Sequence, residues 1–364
     1  MSDYLIILIK LFSVSFVINF IFTKILIIFS PYLNLIDYPN QRKMHKDSTP
    51  VVGGLAIFIT ICFLVSYLLY NGWFIGFLTM QSIISIIIST FILVSIGLMD
   101  DSFGLSPFNK FLFQLIATII FLIGSDVHFK SMFYIDYPYI NFILNILFII
   151  GITNAFNLTD GLDGLAGGIS LIICITLIIL YVLSGNDFFQ IAILIVLAGS
   201  LTAFLFFNKS PAKTFLGDTG SLFLGWYFAL NSIYFAQKTA LSLSILLPFM
   251  IMGLPAFDVL FVMASRFIKR HNYNIPFSSR FKRVFHPDNT HLHHLFIRGG
   301  VSKFKTVVSL YLITMITCLI CLFSWINRDN VNFIYGFIFI SLLLFFIRSY
   351  IEFRIKNKKK INKI

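Results

Sequence analysis

Long apolar stretches separated by short polar segments make up almost all of this chain. Eleven stretches are long enough to cross about 30 Å of hydrocarbon as helices. They are 4–30, 51–70, 81–99, 108–124, 139–155, 165–184, 188–207, 220–236, 241–265, 304–325 and 333–351. With 58% hydrophobic and 12% charged residues, the chain has more apolar surface than a soluble domain of 364 residues could bury. We therefore predict an all-α polytopic membrane protein with about 11 transmembrane helices, forming one domain over residues 1–364.

The distribution of lysine and arginine predicts the orientation, because basic residues are enriched on the cytoplasmic side of a membrane. One side holds Arg42, Lys43, Lys46, Lys110, Lys209, Lys213, the basic residues of 266–305 and the tail from Arg348 to Lys363, whereas the other holds Lys130, Lys238 and Arg328. We predict an outside N-terminus, a cytoplasmic C-terminus with a basic tail at 352–364, and a bacterial inner-membrane location. This asymmetry explains most of the net charge of +12, and attraction of anionic lipids or phosphates is the alternative.

Two features that could indicate processing or cross-linking have plainer interpretations. The first apolar stretch carries Asp3 instead of a basic segment and has no small-residue cleavage site, so we predict a retained helix rather than a signal peptide. The four cysteines all fall inside predicted spans, where we expect small packing residues and neither disulfides nor zinc ligands. They are Cys62, Cys174, Cys318 and Cys321.

The first of five polar segments, all on the predicted cytoplasmic side, runs from Asp37 to Gly54. Arg42 and His45 lie in its basic part, and a Gly-Gly pair at Gly53 precedes an apolar stretch. Basic side chains together with free backbone N–H groups at a helix start are suited to binding phosphate. A basic anchor with turn residues is the alternative interpretation.

The second polar segment contains the adjacent carboxylates of Asp100 and Asp101, followed by Lys110. Adjacent carboxylates repel each other unless a cation lies beside them, and an oxygen-only ligand set indicates a hard ion such as Mg²⁺. A solvated acidic pair at a helix end is the alternative. Ser106 and Pro107 are typical of the N-cap and first position of the next helix.

The third segment, 154–165, places two amides and two carboxylates at three-residue spacing between apolar stretches. They are Asn154, Asn157, Asp160 and Asp163. Ionisable groups cost about 2.5–3.5 kcal/mol each in a membrane segment on insertion scales, so the cluster predicts a functional site rather than a lipid-facing surface. Gly161 and Gly164 are expected to break the helix there, and a broken helix at membrane depth is tolerated where it lines a cavity.

The last two segments add an acidic and a basic group. Residues 208–221 include Asn208, Phe215 and Asp218, with Gly217 and Gly220 expected to let the backbone approach a ligand. A turn followed by a helix cap is the alternative interpretation. The fifth segment contains the histidines and arginine His291, His293, His294 and Arg298. These side chains suit diphosphate oxygens, and a zinc site at His291 and His294 is the less favoured alternative.

In this order the five segments resemble the polyprenyl-phosphate N-acetylhexosamine-1-phosphate transferases, integral membrane enzymes of the glycosyltransferase 4 type. The resemblance covers about 37–298 and depends on Asp-Asp with Leu-Ser-Pro, Asn-x-x-Asn-x-x-Asp-Gly-x-Asp-Gly-Leu, Phe-Leu-Gly-Asp-Thr-Gly-Ser and His-Leu-His-His. The histidine pattern, the basic loop at Arg42 and Asp258 after Pro255 are similar to the WecA-like branch. The related MraY-type muropeptide transferases usually carry three consecutive histidines followed by Phe-Glu.

The resemblance implies transfer of N-acetylglucosamine-1-phosphate, or of another N-acetylhexosamine-1-phosphate, from a UDP-sugar to undecaprenyl phosphate. It implies Mg²⁺, or alternatively Mn²⁺, on Asp101 and Asp218, with Asp100 as a ligand or base. Phe215 would stack on uracil, Asn208, Asp160 and Asp163 would contact uridine or orient Lys110, and the histidines and Arg298 would hold the diphosphate or sugar. UDP-MurNAc-pentapeptide is an alternative donor, and an ion-coupled transporter is the alternative of another class. We expect membrane lipids as partners and no nucleic acid, and a homodimer is an open expectation.

Overall fold

The computed structural model describes residues 2–39, 47–72, 79–128, 137–185, 187–239, 246–268, 290–327 and 330–361. These residues form an all-α bundle with one two-stranded sheet, β1 (Ile36–Asp37) and β2 (Thr49–Pro50). The helices are α1 (Ser2–Phe29), α2 (Gly53–Tyr70), α3 (Met80–Phe103), α4 (Pro107–Gly124), α5 (Pro138–Thr159), α6 (Leu165–Leu183), α7 (Phe188–Asn208), α8 (Gly217–Thr239), α9 (Leu246–Ile251), α10 (Gly253–Ile268), α11 (Leu292–Arg298), α12 (Lys303–Ile326) and α13 (Asn330–Ile361).

The described part of the chain contains nine helices that are long and apolar enough to cross a membrane. They are α1 to α7, α12 and α13, and each coincides with a predicted span to within a few residues, apart from the ends of α13. The predicted all-α polytopic membrane fold is therefore confirmed. Many of their large apolar side chains are exposed, as expected where lipid covers them.

The expected continuous span at 241–265 is wrong over its described part. The structure has α9 and α10 separated by a turn at Met252. Pro255 has no backbone N–H, so it cannot bond to the carbonyl of Ile251 as the fourth residue of a continuous helix would. The chain direction can therefore change at Met252 while the flanking bonds remain, including the 2.9 Å bond from the Ala256 N–H to the Met252 carbonyl.

Helix α8 was expected to be one more membrane span, and its range agrees, yet it is too polar to qualify by hydropathy. It lies between α2, α3 and α5, with most of its described side chains buried, so it needs no apolar surface for lipid. Glycines make this packing possible. A Cβ on Gly97 of α3 would lie 2.5 Å from the Cα of Thr219, and one on Gly225 would lie 2.8 Å from the Cα of Thr153 on α5.

The segment before α8 is held to the segment before α2 by backbone hydrogen bonds. The Phe215 N–H donates to the Pro50 carbonyl at 2.8 Å, and the Gly53 N–H donates to the Phe215 carbonyl at 3.0 Å. The Gly54 N–H donates to the Leu216 carbonyl at 2.9 Å. The first N–H groups of α2 are therefore engaged within the protein, and the expectation that free N–H groups at this helix start bind phosphate is wrong.

The first helix packs against α2 and α7 through one face, with many of its apolar side chains exposed on the bundle surface. Gly199 of α7 has no room for a Cβ, which would overlap the Ser15 hydroxyl of α1, and the Asn19 amide of α1 lies 3.4 Å from the Thr60 hydroxyl of α2. All four cysteines are unpaired. Three of them are buried packing residues as expected, whereas Cys62 is exposed on the bundle surface, so its predicted packing role is wrong.

Candidate active site

A cavity of about 1080 Å³ opens where α3, α5, α7 and α8 meet the loops next to them. Its lining includes, from the predicted site, Asp100, Asp101, Asn157, Asp160, Asp163, Asn208, Phe215, Asp218 and His294. Four sequence segments that are far apart in the chain thus contribute to one chamber. Arg42 and His45 lie outside the described residues.

Lys110 lies between two of the carboxylates. Its ammonium nitrogen is 2.6 Å from Oδ2 of Asp100 and 2.7 Å from Oδ2 of Asp218. The same Asp218 oxygen also accepts a hydrogen bond from the Asn157 amide at 2.9 Å. Helix α4 delivers Lys110 from its first turn, after Ser106 caps the helix by accepting from the Asn109 N–H, as the sequence predicted.

Asp101 binds the N-terminus of α8, whereas Asp100 binds Lys110. Its Oδ1 accepts from the Asp218 N–H at 2.8 Å, and its Oδ2 accepts from the Thr219 N–H at 2.9 Å and the Thr219 hydroxyl at 2.6 Å. A carboxylate at this position satisfies N–H groups that have no partner within the helix and complements the helix dipole. Asp101 therefore fixes the orientation of the turn that carries Asp218.

Asp160 directly follows the last residue of α5 and lies among the other carboxylates. Burial is the largest cause that raises its pKa, to about 7, and the charges of Asp218, Asp101 and Asp163 raise it further. A hydrogen bond from the Gly217 backbone opposes this shift. The chamber thus holds more negative charge than Lys110 offsets, which is an electrostatic property expected of a site for a cation.

The predicted helix break between the carboxylates is confirmed. Helix α5 ends at Thr159 and α6 begins at Leu165, with Gly164 in the left-handed region at φ 79°. The resulting loop, 160–164, lines the cavity throughout. Within it, Oδ2 of Asp163 lies 3.4 Å from the Ala212 backbone nitrogen of the segment that follows α7.

Two of the predicted substrate-binding amides have partners within the protein. Asn154 lies deeper on α5, and its Nδ2 donates to the Gln114 side chain of α4 at 2.6 Å. Asn208 is buried, accepts from the Gly164 N–H at 2.8 Å and donates to the Thr214 carbonyl at 2.8 Å. Asn154 is outside the cavity lining, whereas Asn208 reaches it at the edge of the 160–164 loop.

The glycines of the fourth segment serve packing within the protein. A Cβ on Gly220 would lie 2.6 Å from the Cα of Gly54, so the expected approach of this backbone to a ligand is wrong at Gly220. Gly217 has φ 74° and also faces the cavity, where a Cβ would lie 2.6 Å from Oδ2 of Asp101. Both glycines permit the close contact that positions Asp218.

The histidines separate into one that faces the cavity and two that are buried. His294 lines the cavity. Nδ1 of His291 lies 3.0 Å from Oδ2 of Asp258, whose Oδ1 lies 3.3 Å from Nη1 of Arg348 on α13. Arg298 is exposed at the end of α11 and does not line the cavity. His291 therefore joins α10, α11 and α13.

His293 packs on the 160–164 loop, because a Cβ on Gly161 would overlap its Nε2. Burial, followed by the neighbouring imidazoles of His294 and His291, lowers its pKa to about 3, so this ring is neutral at physiological pH. A neutral imidazole has one N–H donor and no charge to offer a diphosphate. The geometry favours a role for His293 in supporting the loop.

Two kinds of metal donor were predicted, the carboxylates for a hard divalent ion and the histidines for zinc. Asp100, Asp101 and Asp218 all line the cavity, and Mg²⁺ prefers a small number of such oxygen ligands together with substrate phosphates. Across the described ranges, no group of three or more His, Cys, Asp or Glu side chains is arranged to hold a metal ion. That finding covers the aspartates as well as His291 and His294, so the predicted Mg²⁺ and its zinc alternative both stay predictions.

Sequence reasoning missed the wall that α12 contributes. Lys303, Phe304, Val307, Val308 and Tyr311 line the cavity, as do Asp37, Asp47 and Lys209 from the loops. The α12 residues follow i, i+4 and i+8 spacing, which places them on one helix face. Their stripe is mainly apolar and therefore looks like any lipid-facing surface, although Lys303 at its start is a signal that could have been noticed.

Similarity to known proteins agrees with this geometry. A family model described as "Glycosyl transferase family 4" matches residues 83–236, which include the two acidic segments and the start of α8. A probable undecaprenyl-phosphate N-acetylglucosaminyl 1-phosphate transferase of Bacillus subtilis is 36% identical over 310 residues, covering 84% of this chain and 81% of the relative.

Two further relatives represent both branches considered above. An undecaprenyl-phosphate alpha-N-acetylglucosaminyl 1-phosphate transferase of Thermotoga maritima is 29% identical, covering 81% of this chain and 83% of the relative. A phospho-N-acetylmuramoyl-pentapeptide-transferase of Staphylococcus epidermidis is 33% identical, covering 79% and 88%. The extent and identity of these matches lead to one conclusion, that this chain is a multi-pass membrane protein and belongs to glycosyl transferase family 4.

Proposed function

We propose that this protein transfers N-acetylhexosamine-1-phosphate from a UDP-sugar to undecaprenyl phosphate, releasing UMP and forming a lipid-diphosphate-sugar. The observation that carries the proposal is the Lys110 ammonium, which lies 2.6 Å from Asp100 and 2.7 Å from Asp218, two carboxylates that line one cavity between membrane helices. Relatives of this family act on the same kinds of substrate by name. We place the site on the cytoplasmic face of the bacterial inner membrane, where nucleotide sugars are found.

The identity of the UDP-sugar donor is the more specific part of the proposal. We favour UDP-N-acetylglucosamine, because the relative with 36% identity carries that specificity in its name and the His-Leu-His-His pattern resembles the same branch. A UDP-MurNAc-pentapeptide donor is the second candidate, supported by 33% identity to a muropeptide transferase. Family membership disfavours the transporter alternative. The lipid product would begin a cell-surface glycan.

In the proposed reaction an oxygen of the lipid phosphate attacks the β-phosphorus of the donor, and the bond to the UMP oxygen breaks. A phosphate monoester has a second pKa of about 6, so the lipid phosphate is mostly dianionic at pH 7 and needs little help from a base. We therefore propose a direct displacement without a phospho-enzyme. Labelled phosphate that moved from the donor to the protein and survived denaturation would contradict this mechanism.

The charged side chains have distinct proposed roles. Lys110 would exchange a carboxylate partner for a diphosphate oxygen, and Asp101 keeps the first turn of α8 in place. A bound Mg²⁺, held by Asp218 and Asp101 with Asp100 beside them, would neutralise charge on the diphosphate. Phe215, Asp160 and Asp163 line the cavity, where Phe215 would stack on the base and the two carboxylates would contact the uridine or orient Lys110.

The test mixes purified protein, Mg²⁺, undecaprenyl phosphate and each of several radiolabelled UDP-sugars, and then extracts the lipid. We expect labelled lipid with UDP-N-acetylglucosamine and less with other UDP-N-acetylhexosamines or UDP-MurNAc-pentapeptide. Repeating the assay with Mn²⁺ and with chelator tests the metal. Absence of labelled lipid with every donor, with solute uptake by vesicles containing the protein, would overturn the proposal.

A further inference from the structure

The backbone N–H and carbonyl of Gly164 are both held by residues from other helices. Its N–H donates to the Asn208 side chain at 2.8 Å, and its carbonyl accepts from the Tyr311 hydroxyl at 2.5 Å. Gly164 has a left-handed backbone at φ 79° and precedes the first turn of α6. The end of the 160–164 loop is therefore fixed by α7 on one side and by α12 on the other.

The position of Tyr311 depends on Gly168 of α6, where no side chain covers the backbone. A Cβ at Gly168 would overlap the phenol oxygen and the adjacent ring carbon, so only glycine lets the ring lie this close to the helix. Tyr311 also lines the cavity, two turns into α12 from Lys303. Its hydroxyl thus reaches the Gly164 carbonyl from the wall that sequence motifs did not identify.

The loop held in this way carries two of the carboxylates that face the cavity. Asp160 opens it and Asp163 immediately precedes Gly164, and both line the chamber. Glycines at 161 and 164 give this loop more backbone freedom than other residues would, so contacts from outside it determine where the carboxylates point. Of these outside contacts, the Tyr311 hydroxyl is the one from α12.

We propose that Tyr311 is a positioning residue for the nucleotide-sugar end of the site. Its hydroxyl fixes the Gly164 carbonyl, and through the backbone of Gly164 it fixes the preceding residue, Asp163, whose side chain would then contact the donor. The assignment of the donor side rests on the proposed function, whereas the contact itself does not. The contacts of Lys110 with Asp100 and Asp218 are separate from this stretch of backbone and do not involve Tyr311.

The matched variants are Tyr311→Phe, which keeps the ring on Gly168, and Thr314→Val one turn later on the same helix. The Thr314 hydroxyl bonds only to the Leu310 carbonyl of its own helix at 2.9 Å. Hydrogen exchange by mass spectrometry on the full-length protein measures amide exchange of the peptide covering 160–168. We expect about fivefold faster exchange there in Tyr311→Phe, as for loss of one ordinary hydrogen bond, and wild-type exchange in Thr314→Val.

The kinetic readout separates positioning from general damage. We expect Tyr311→Phe to raise KM for the UDP-sugar about fivefold, with KM for undecaprenyl phosphate unchanged, on the same hydrogen-bond scale. In a double-mutant cycle, the Tyr311→Phe effect should disappear in the Asp163→Asn background, because Tyr311 acts through that carboxylate. An additive effect in the cycle would instead indicate independent roles and would overturn the proposal.

The result of the hydrogen-exchange experiment does not depend on which reaction the protein catalyses. Unchanged exchange at 160–168 in Tyr311→Phe, or an equal increase in both variants, overturns the positioning role whatever the protein catalyses. If the wild-type protein forms no lipid-linked sugar while Tyr311→Phe still loosens the loop, the proposed function fails and the structural contact is upheld. Faster exchange together with a donor-specific rise in KM supports both.

Discussion

At the scale of single residues, the adjacent carboxylates of Asp100 and Asp101 bind different partners. Asp100 contacts the Lys110 ammonium, and Asp101 caps α8 with three hydrogen bonds. The sequence predicted a cation beside this pair, and Lys110 is one such cation within the protein. The sequence could not predict that the two carboxylates point to different partners, because these partners come from helices that are distant in the sequence.

Replacing each carboxylate by its amide should separate these roles. We expect Asp218→Asn to lower turnover by on the order of 100-fold, as for loss of a charged group that acts on the reacting phosphates, with little change in melting temperature. Asp101→Asn should lower turnover and also the melting temperature, because an amide places N–H donors against the N–H groups of α8. Radiolabel transfer and thermal unfolding in detergent measure the two effects. An active Asp218→Asn variant would contradict the assignment.

The raised pKa of Asp160 predicts how stability depends on pH. The carboxyl titrates near 7 in the folded protein, whereas an unfolded aspartate titrates at about 4. Between these values the folded state binds more protons than the unfolded state, so the stability contributed by this group falls as pH rises from about 4 to 7 and is constant above. Melting temperatures of metal-free wild type and Asp160→Asn, measured from pH 5 to 8, should converge at low pH. Parallel curves would contradict the shifted pKa.

At the scale of elements, the position of the site depends on how tightly the start of α8 packs. Gly54 of α2 and Gly97 of α3 both lie against the backbone of its first turn. The sequence predicted the ends of most helices, because apolar length and capping residues such as Ser106 are local signals. It did not predict that Gly53 and Gly220 serve helix packing, since glycine beside a carboxylate looks the same whether a ligand or another helix approaches.

A Cβ at the contact between α2 and α8 should disturb the site. In Gly54→Ala the methyl group would overlap the backbone of Gly220, so we expect a lower melting temperature and loss of transferase activity as Asp218 shifts. Gly151→Ala on α5 is the matched control, because nothing lies within 4 Å of the added Cβ. Equal melting temperatures and activities for the two variants would show that the close packing has no such role.

At the scale of the whole molecule, the hydropathy pattern was sufficient for the fold class, and two of the eleven predicted spans depart from a continuous apolar membrane helix for different reasons. Helix α8 is polar because other helices surround it, and the 241–265 span is broken before Pro255. The α12 wall was not foreseen because Val307, Val308 and Phe304 are also what a lipid-facing helix would carry. Burial in the assembled bundle, which no single segment specifies, decides the character of α8 and of the α12 wall, whereas Pro255 is a local cause of the break.

The orientation gives the last prediction. If α8 and the α9–α10 pair each cross the membrane along with the nine apolar helices, the number of crossings is odd and the two termini lie on opposite sides. The basic residues in the last part of α13 then predict a cytoplasmic C-terminus and an outside N-terminus. A green fluorescent protein fused to the C-terminus should fluoresce, and an alkaline phosphatase fused there should be inactive. An active phosphatase at the C-terminus would require the opposite orientation and would move the cavity of Asp218 away from cytoplasmic nucleotide sugars, so this experiment also tests where the proposed reaction can occur.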